Sequence, residues 1–174
     1  MSQPNHRKPS IARAVLCLFL LLIPSPHSLA EENLADRAKA SFIYRCVEGM
    51  TWPESRKADS RWVIGIIGDD KVRGVLTKDL AGKTAKNRSF SIIEPSADIR
   101  SCHIVFVAES AKRAAPAVAA QARENAVLTI GETDDGFMIR FSIERERVRT
   151  VGDLTRMKQS GLKPSADLLR VLTK

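Results

Sequence analysis

The earliest apolar run, residues 14–23 (AVLCLFLLLI), is unbroken. It is too short to span a bilayer, which takes about 20 residues. Arg7, Lys8 and Arg13 lie before or at its edge with no acidic residue among them, and Ser28-Leu29-Ala30 follows. That is the pattern of a secretory leader over residues 1–30, with cleavage expected after Ala30. Cys17 falls inside the run rather than after it, which argues against a lipid anchor at that cysteine.

Beyond the leader the period changes. Leu34, Ala35, Ala38, Phe42, Cys46 and Met50 recur at three- and four-residue spacings and predict an amphipathic helix over 34–50, stopped by Gly49 and Pro53. Residues 61–68 (RWVIGIIG) predict a strand buried on both faces, ending at Gly68-Asp69-Asp70. Asp69 or Asp70 then caps a short helix through about Leu80. Strands at 88–94 and 103–108, a helix at about 111–124 and a strand at 126–130 ending in Gly131 follow. Repetition of strand, cap and helix predicts an α/β fold, a three-layer domain with a largely parallel sheet and flanking helices. Residues 137–143 and 147–151 read as an antiparallel C-terminal hairpin, and short helices near 153–160 and 165–173 finish the chain. No repeat or low-complexity stretch interrupts residues 31–174, which read as one domain.

The composition narrows the partners. The 174 residues carry 28 Lys+Arg against 20 Asp+Glu, a formal charge of +8. Removing the leader takes three cations and no acid, so the excess falls to about +5 on the rest. Export places that charge in an oxidising compartment, away from intracellular nucleic acid. Arg140, Arg145, Arg147 and Arg149 interleave with Glu144 and Glu146 rather than with aromatic rings, which suits a solvated sheet edge and no nucleic-acid partner.

Candidate chemistry is sparse. A strand ending in Gly-Asp-Asp before a helix is where doubly wound sheets bind ligands, so Asp69, Asp70 and Gly131 mark either a small-molecule site or a capped turn. His103 and Cys102 are neighbours on a strand and point to opposite faces, so they do not form a dyad directly. With no G-x-S-x-G, H-E-x-x-H or zinc-like spacing, no metal, cofactor or catalytic residue is expected. Cys46 and Cys102 are either two buried thiols or a disulfide closing about 57 residues, worth roughly 4 kcal/mol in the chain-entropy model. In the segment Phe137-Met138-Ile139-Arg140-Phe141, alternate residues face opposite ways. Phe137, Ile139 and Phe141 suit the core, while Met138 and Arg140 are open to display at a protein interface, with a plain core strand as the alternative. Leu168 and Leu169 of the last helix add apolar surface for self-association, a homodimer.

In order and spacing, these motifs resemble the YfiR/HmsC-like family of periplasmic regulators across essentially all of residues 31–174. The residues that carry the likeness are Phe42-Ile43-Tyr44, Thr51-Trp52-Pro53, Ile67-Gly68-Asp69-Asp70, Leu80-Ala81-Gly82-Lys83-Thr84, Cys102-His103-Ile104-Val105-Phe106-Val107, Val127-Leu128-Thr129-Ile130-Gly131, Gly136-Phe137-Met138-Ile139, Gly161-Leu162-Lys163 and Leu168-Leu169. The resemblance implies a non-enzymatic α/β domain that represses an inner-membrane diguanylate cyclase through its periplasmic sensor part. An outer-membrane lipoprotein would control its availability, and cyclic-di-GMP and biofilm formation would be the outputs. The family pattern also implies a cysteine at the position of Gly65, bonded to the counterpart of Cys102. Here that partner is glycine, which leaves Cys46 as a substitute. Met138-Ile139-Arg140-Phe141 stands where the family reads Met-Ile-Asn-Phe, so the segment suspected of making contacts is also the most altered. The expectation is therefore a periplasmic regulator, with a periplasmic small-molecule sensor or carrier as the alternative.

Overall fold

In the computed structural model, which describes residues 26–172 apart from 57, 97, 134, 135, 145 and 146, the run at 61–67 forms a central strand. The expected leader lies almost wholly outside the described residues. Along this strand Trp62, Ile64 and Ile66 turn to one side and Val63 and Ile67 to the other, and both sides are covered. An apolar run without alternation is what a two-sided strand requires.

The helix before it, α1 (Pro26–Gly49), is longer than the spacing predicts. Its buried stripe contains Ala40, Phe42, Ile43, Cys46 and Val47, whereas Leu34, assigned to the stripe by spacing, is 68% exposed, and Met50, also buried, lies just beyond the helix. A two-residue strand β1 (Met50–Thr51) leads through a 3-10 turn (Glu54–Arg56) into β2 (Arg61–Ile67). There follow α2 (Asp70–Leu80), β3 (Thr84–Ala85), β4 (Arg88–Ile93) and β5 (Ile104–Val107). A 3-10 turn (Glu109–Ala114) precedes α3 (Ala115–Asn125), and then come β6 (Leu128–Gly131), β7 (Ile139–Glu144) and β8 (Arg147–Gly152). The chain closes with α4 (Leu154–Gln159), β9 (Lys163–Pro164) and α5 (Ala166–Val171).

Seven strands form one sheet in the order β3-β4-β2-β5-β6-β7-β8. Pairs from β4 to β7 are parallel, and β3 on β4 and β8 on β7 are antiparallel, so the fold is α/β as the sequence indicates. Its two faces are unequal. Ile64, Ile66, Ile104, Phe106, Leu128 and Ile130 pack under α1, α2 and α5, and Val105, Val107 and Val127 pack under α3 through Ala115, Val118 and Ala122. The sequence reading missed the small ribbon of β1 with β9, Met50 opposite Pro164, because two-residue strands leave no periodic signal. It seats α5 against the end of α1, where a Cβ on Gly49 would lie 2.9 Å from Leu168 Cβ.

Two expectations are corrected. Cys46 and Cys102 are both buried and free, and they belong to the cores on opposite faces of the sheet, so they do not bond to each other. A strand's period of two sets the faces, and sequence distance says nothing about which face a helix covers. Met138 is buried, not displayed; it precedes β7, and its N–H donates to Thr129 Oγ1 at 3.0 Å.

Gly65, by contrast, faces Cys102. A Cβ built there lies 3.1 Å from Cys102 Sγ, with Pro95 Cγ at 3.0 Å on the other side. Gly65→Cys is expected to bond to Cys102 under oxidising conditions once Pro95 yields a few tenths of an ångström. The chain-entropy model gives at most about 4 kcal/mol for that loop. Thiol titration should show the Cys102 thiol lost on oxidation, and the reduced variant should melt below the oxidised one. A variant that keeps both thiols in air would contradict this geometry.

Candidate functional site

The sheet is wound both ways from its middle. The crossover through α2 carries the chain from β2 to β4, and the one through α3 carries it from β5 to β6 on the far side. The crevice beyond the ends of β2 and β5 is thus the topological switch point, where doubly wound folds hold ligands. Asp69, predicted there, caps α2: its Oδ1 accepts from the N–H groups of Lys71 and Val72, both at 3.0 Å. Asp70 is the first residue of α2.

The chain's own groups fill this crevice. Lys39 of α1 brings its ammonium to Glu132 Oε1 at 2.5 Å, Asp36 Oδ1 at 3.8 Å and Asp69 Oδ2 at 3.9 Å. Glu132 Oε2 accepts from the Glu109 N–H at 2.9 Å. Ser110 Oγ donates to the Gly68 carbonyl at 2.6 Å. At Gly131 a Cβ would come within 1.9 Å of the Phe137 ring, so only glycine lets that ring close over the end of β6. The structure therefore brings Asp69 and Gly131 to one end of the sheet and covers both.

The second set of predicted residues lies at the far edge. Phe137 belongs to the core under α3, and Met138, Ile139 and Phe141 to the core under α1. Arg140 is half-buried and lines a cleft of about 510 Å³ with Val151, Leu154 and Arg156. Asp153 caps α4 and binds Arg156 at 2.8 Å, and Arg156 also donates to the Gly136 carbonyl. Of the terminal leucines, Leu168 is buried and Leu169 is 39% exposed.

A third cluster, at the opposite ends of the strands, escaped the sequence reading. Trp52, Trp62 and His103 pack ring against ring, with centroids 5.0 Å apart for the two indoles and 4.8 Å for Trp62 and His103. His103 accepts the Val63 N–H at Nδ1, 3.2 Å away, so the neutral ring carries its proton on Nε2, which faces Asp59 Oδ2 at 3.0 Å. Burial, then the nearby Arg56 guanidinium, lower the His103 pKa to about 4, against the opposing pull of Asp59. Arg56 donates to the carbonyls of Arg100, Ser101 and Cys102. Lys86 donates to the carbonyls of Val47 and Met50. Arg88 lies over the Trp62 ring at 4.6 Å. The only local signal was Trp-Pro at 52–53; the rest converge from different elements.

A family model described as YfiR/HmsC-like matches residues 36–172, from the third turn of α1 to the end of the fold. No curated protein matches the chain. Among the described residues no helix is long and apolar enough to cross a membrane.

Two outcomes follow from the geometry. Lys39→Met removes the partner of the half-buried Glu132 and is expected to lower stability by about 1–3 kcal/mol, while Lys39→Met with Glu132→Gln recovers part of it. Urea denaturation measures both, and an unaffected Lys39→Met would contradict the network. For His103 the folded state disfavours the proton, so the unfolded chain binds more protons between pH 6.5 and about 4. Stability present above pH 6.5 is then lost as pH falls through that window, by up to about 3 kcal/mol. His103→Asn, which cannot titrate, should lack this component of the pH profile; an identical slope would assign the effect to other groups.

Proposed function

The chain belongs to the YfiR/HmsC-like family, and on that premise we propose that it is a periplasmic, non-enzymatic regulator of a membrane diguanylate cyclase. It binds the cyclase's periplasmic sensor part and represses it, which lowers cyclic-di-GMP and biofilm formation. The match over residues 36–172 is the observation that carries this function, because it takes in every strand of the sheet. The filled crevice supports it as well. A fold whose switch point is occupied by its own Lys39, Glu132 and Phe137 offers its outer surfaces for binding more readily than its strand ends.

The surface suited to that contact is the cleft at the β7–β8 edge. Arg140 stands there beside the Arg156–Asp153 pair, and Val151 and the 37%-exposed Leu154 give it an apolar floor. Arginine beside exposed aliphatic side chains is the composition of protein interfaces, and its charge favours an acidic segment of the partner. An outer-membrane lipoprotein as a second partner, and a homodimer using Leu169, belong to the same proposal.

Deleting the gene in its native cell should raise cyclic-di-GMP, and tagged protein should retain a diguanylate cyclase from detergent-solubilised membranes. Arg140→Glu should retain the cyclase at least about tenfold more weakly, with circular dichroism showing that the variant is folded. Unchanged cyclic-di-GMP together with no captured cyclase would remove this function.

A further inference from the structure

His103 is built into the sheet by its side chain as well as by its backbone. Its N–H donates to the Val63 carbonyl at 2.8 Å, and its carbonyl accepts from the Leu128 N–H at 2.9 Å. The register of β2 on β5, with Ile64 opposite Ile104, would give the Val63 N–H the carbonyl of Cys102 as its acceptor. Arg56 holds that carbonyl at 2.8 Å, and His103 Nδ1 takes the Val63 N–H instead, at 3.2 Å. One rung between two inner strands is therefore the lone pair of an imidazole.

The ring is buried and packs edge-on against Trp62 and Trp52, at 4.8 and 5.9 Å between centroids. Its charged surroundings come from several elements. Arg56 and Asp59 lie on the turn and loop before β2, Arg88 opens β4, and Lys86 of the β3–β4 turn stands over the Trp62 ring. The preceding residue, Cys102, carries a thiol that burial keeps protonated at neutral pH. Asp59 is the acid that faces the ring: its Oδ2 stands 3.0 Å from Nε2 and 3.3 Å from Arg56 Nε, neither aligned as a hydrogen bond. The Trp52 indole N–H, buried in the same cluster, has no hydrogen-bond partner. The aligned hydrogen bond on the imidazole is the one at Nδ1.

That bond exists only while Nδ1 is unprotonated. A proton there sets two N–H groups against each other in a buried place, where an unmade hydrogen bond costs most. We propose that His103 is an acid-operated latch: a proton on Nδ1 breaks the bond from Val63, turns the imidazolium out toward Asp59, and loosens Trp52 and the 3-10 turn at Glu54–Arg56 from the ends of β2 and β5 while the rest of the sheet stays folded. Burial, the Arg56 guanidinium and Arg88 hold the closed ring down to about 4 against the pull of Asp59, whereas a ring released to water titrates near 6.5. The open form thus binds more protons, and opening is favoured as pH falls through that window. Acid raises the open-to-closed ratio by about 300-fold at most, tenfold for each pH unit between the two values. The latch is separate from the cyclase contact, which lies at the β7–β8 edge, and it stands or falls without that reading.

The chain has two tryptophans, Trp52 and Trp62, and both pack on this ring, so indole emission reads the latch while far-ultraviolet circular dichroism reads the fold. The full chain is titrated from neutral pH down to about pH 4. Emission is expected to shift to the red in one step, with its midpoint between pH 6.5 and about 4 and with ellipticity unchanged across it. His103→Asn, whose amide oxygen can take the Val63 N–H but does not titrate, should show no step. Asp59→Asn removes the acid that favours the imidazolium, so its step should fall at lower pH, and it serves as the test should His103→Asn fail to fold. No step in the unaltered chain, emission that moves only together with ellipticity, the same step in His103→Asn, or an unshifted step in Asp59→Asn would overturn the latch.

Discussion

A lysine ammonium fastens each end of the length of α1 that crosses the sheet. Lys39, past the middle of the helix, sits among Asp36, Asp69 and Glu132 at the carboxyl ends of the strands. Lys86, on the β3–β4 turn, takes the carbonyls of Val47 and Met50 at the helix's last turn. Between Lys39 and Gly49 the helix rises about 15 Å, so these clamps fix its direction opposite to the parallel strands. Ile43 and Val47, both fully buried between the clamps, supply the apolar contact. Burial makes the helix adhere, but it is indifferent to small slides along the axis. A charge that must meet a carboxylate at one end and free carbonyls at the other is not.

The clamp at Lys39 has a consequence for function. Doubly wound sheets leave a crevice where their crossovers diverge, and a ligand normally supplies the polar partners there. In this chain Lys39, Glu132 and Ser110 supply them from within, Phe137 closes over the end of β6, and Gly68 and Gly131 lack side chains where Ala111 and Phe137 approach. Among the described residues, clefts open at the two edges of the sheet, one with Arg140 and Arg156, the other with Lys86 and Arg88, and a further one lies between α1 and α2 beside Ala40 and Leu76. Membership of a regulatory family and a switch point closed by the protein itself point the same way, toward recognition at the periphery.

Much of this fold was legible in the sequence because it rests on local signals. Apolar runs at 61–67 and 104–107 have no polar face, and Asp69, Asp153 and Ser165 each stand one residue before the helix they cap. The sites were less legible because they are assembled from distant parts of the chain. Nothing near Lys39 in sequence announces Glu132, and nothing near Trp52 announces His103, though both pairs are central to a polar or aromatic cluster. Alternation groups Phe137 with Ile139 and Phe141, but β7 begins only at Ile139, so Phe137 parts from them to the core under α3 and Met138, open to display or core by sequence, joins them under α1. The same two-sidedness separates Cys46 from Cys102.

That separation raises the question of what fixes the segment before β5, which the family resemblance would tie to β2 by a disulfide at Gly65. Arg56 holds that segment instead, through its backbone. Its guanidinium holds the carbonyls of Arg100 and Cys102 at 2.7 and 2.8 Å and that of Ser101 at 3.3 Å, while Asp59 steadies its Nε side. Hydrogen bonds from a charged donor are each worth about 1.5–3 kcal/mol, so such a fork is comparable in strength to a cross-link over the same loop. The tethers differ in what they respond to. A disulfide follows the redox state of the compartment; a guanidinium does not. The remaining thiol is inert beside it, since burial pushes Cys102 up to about 11 and keeps it protonated at neutral pH. A charge thus tethers the segment that the family resemblance would tie by a disulfide, and it does so through backbone carbonyls rather than through the Cys102 sulfur.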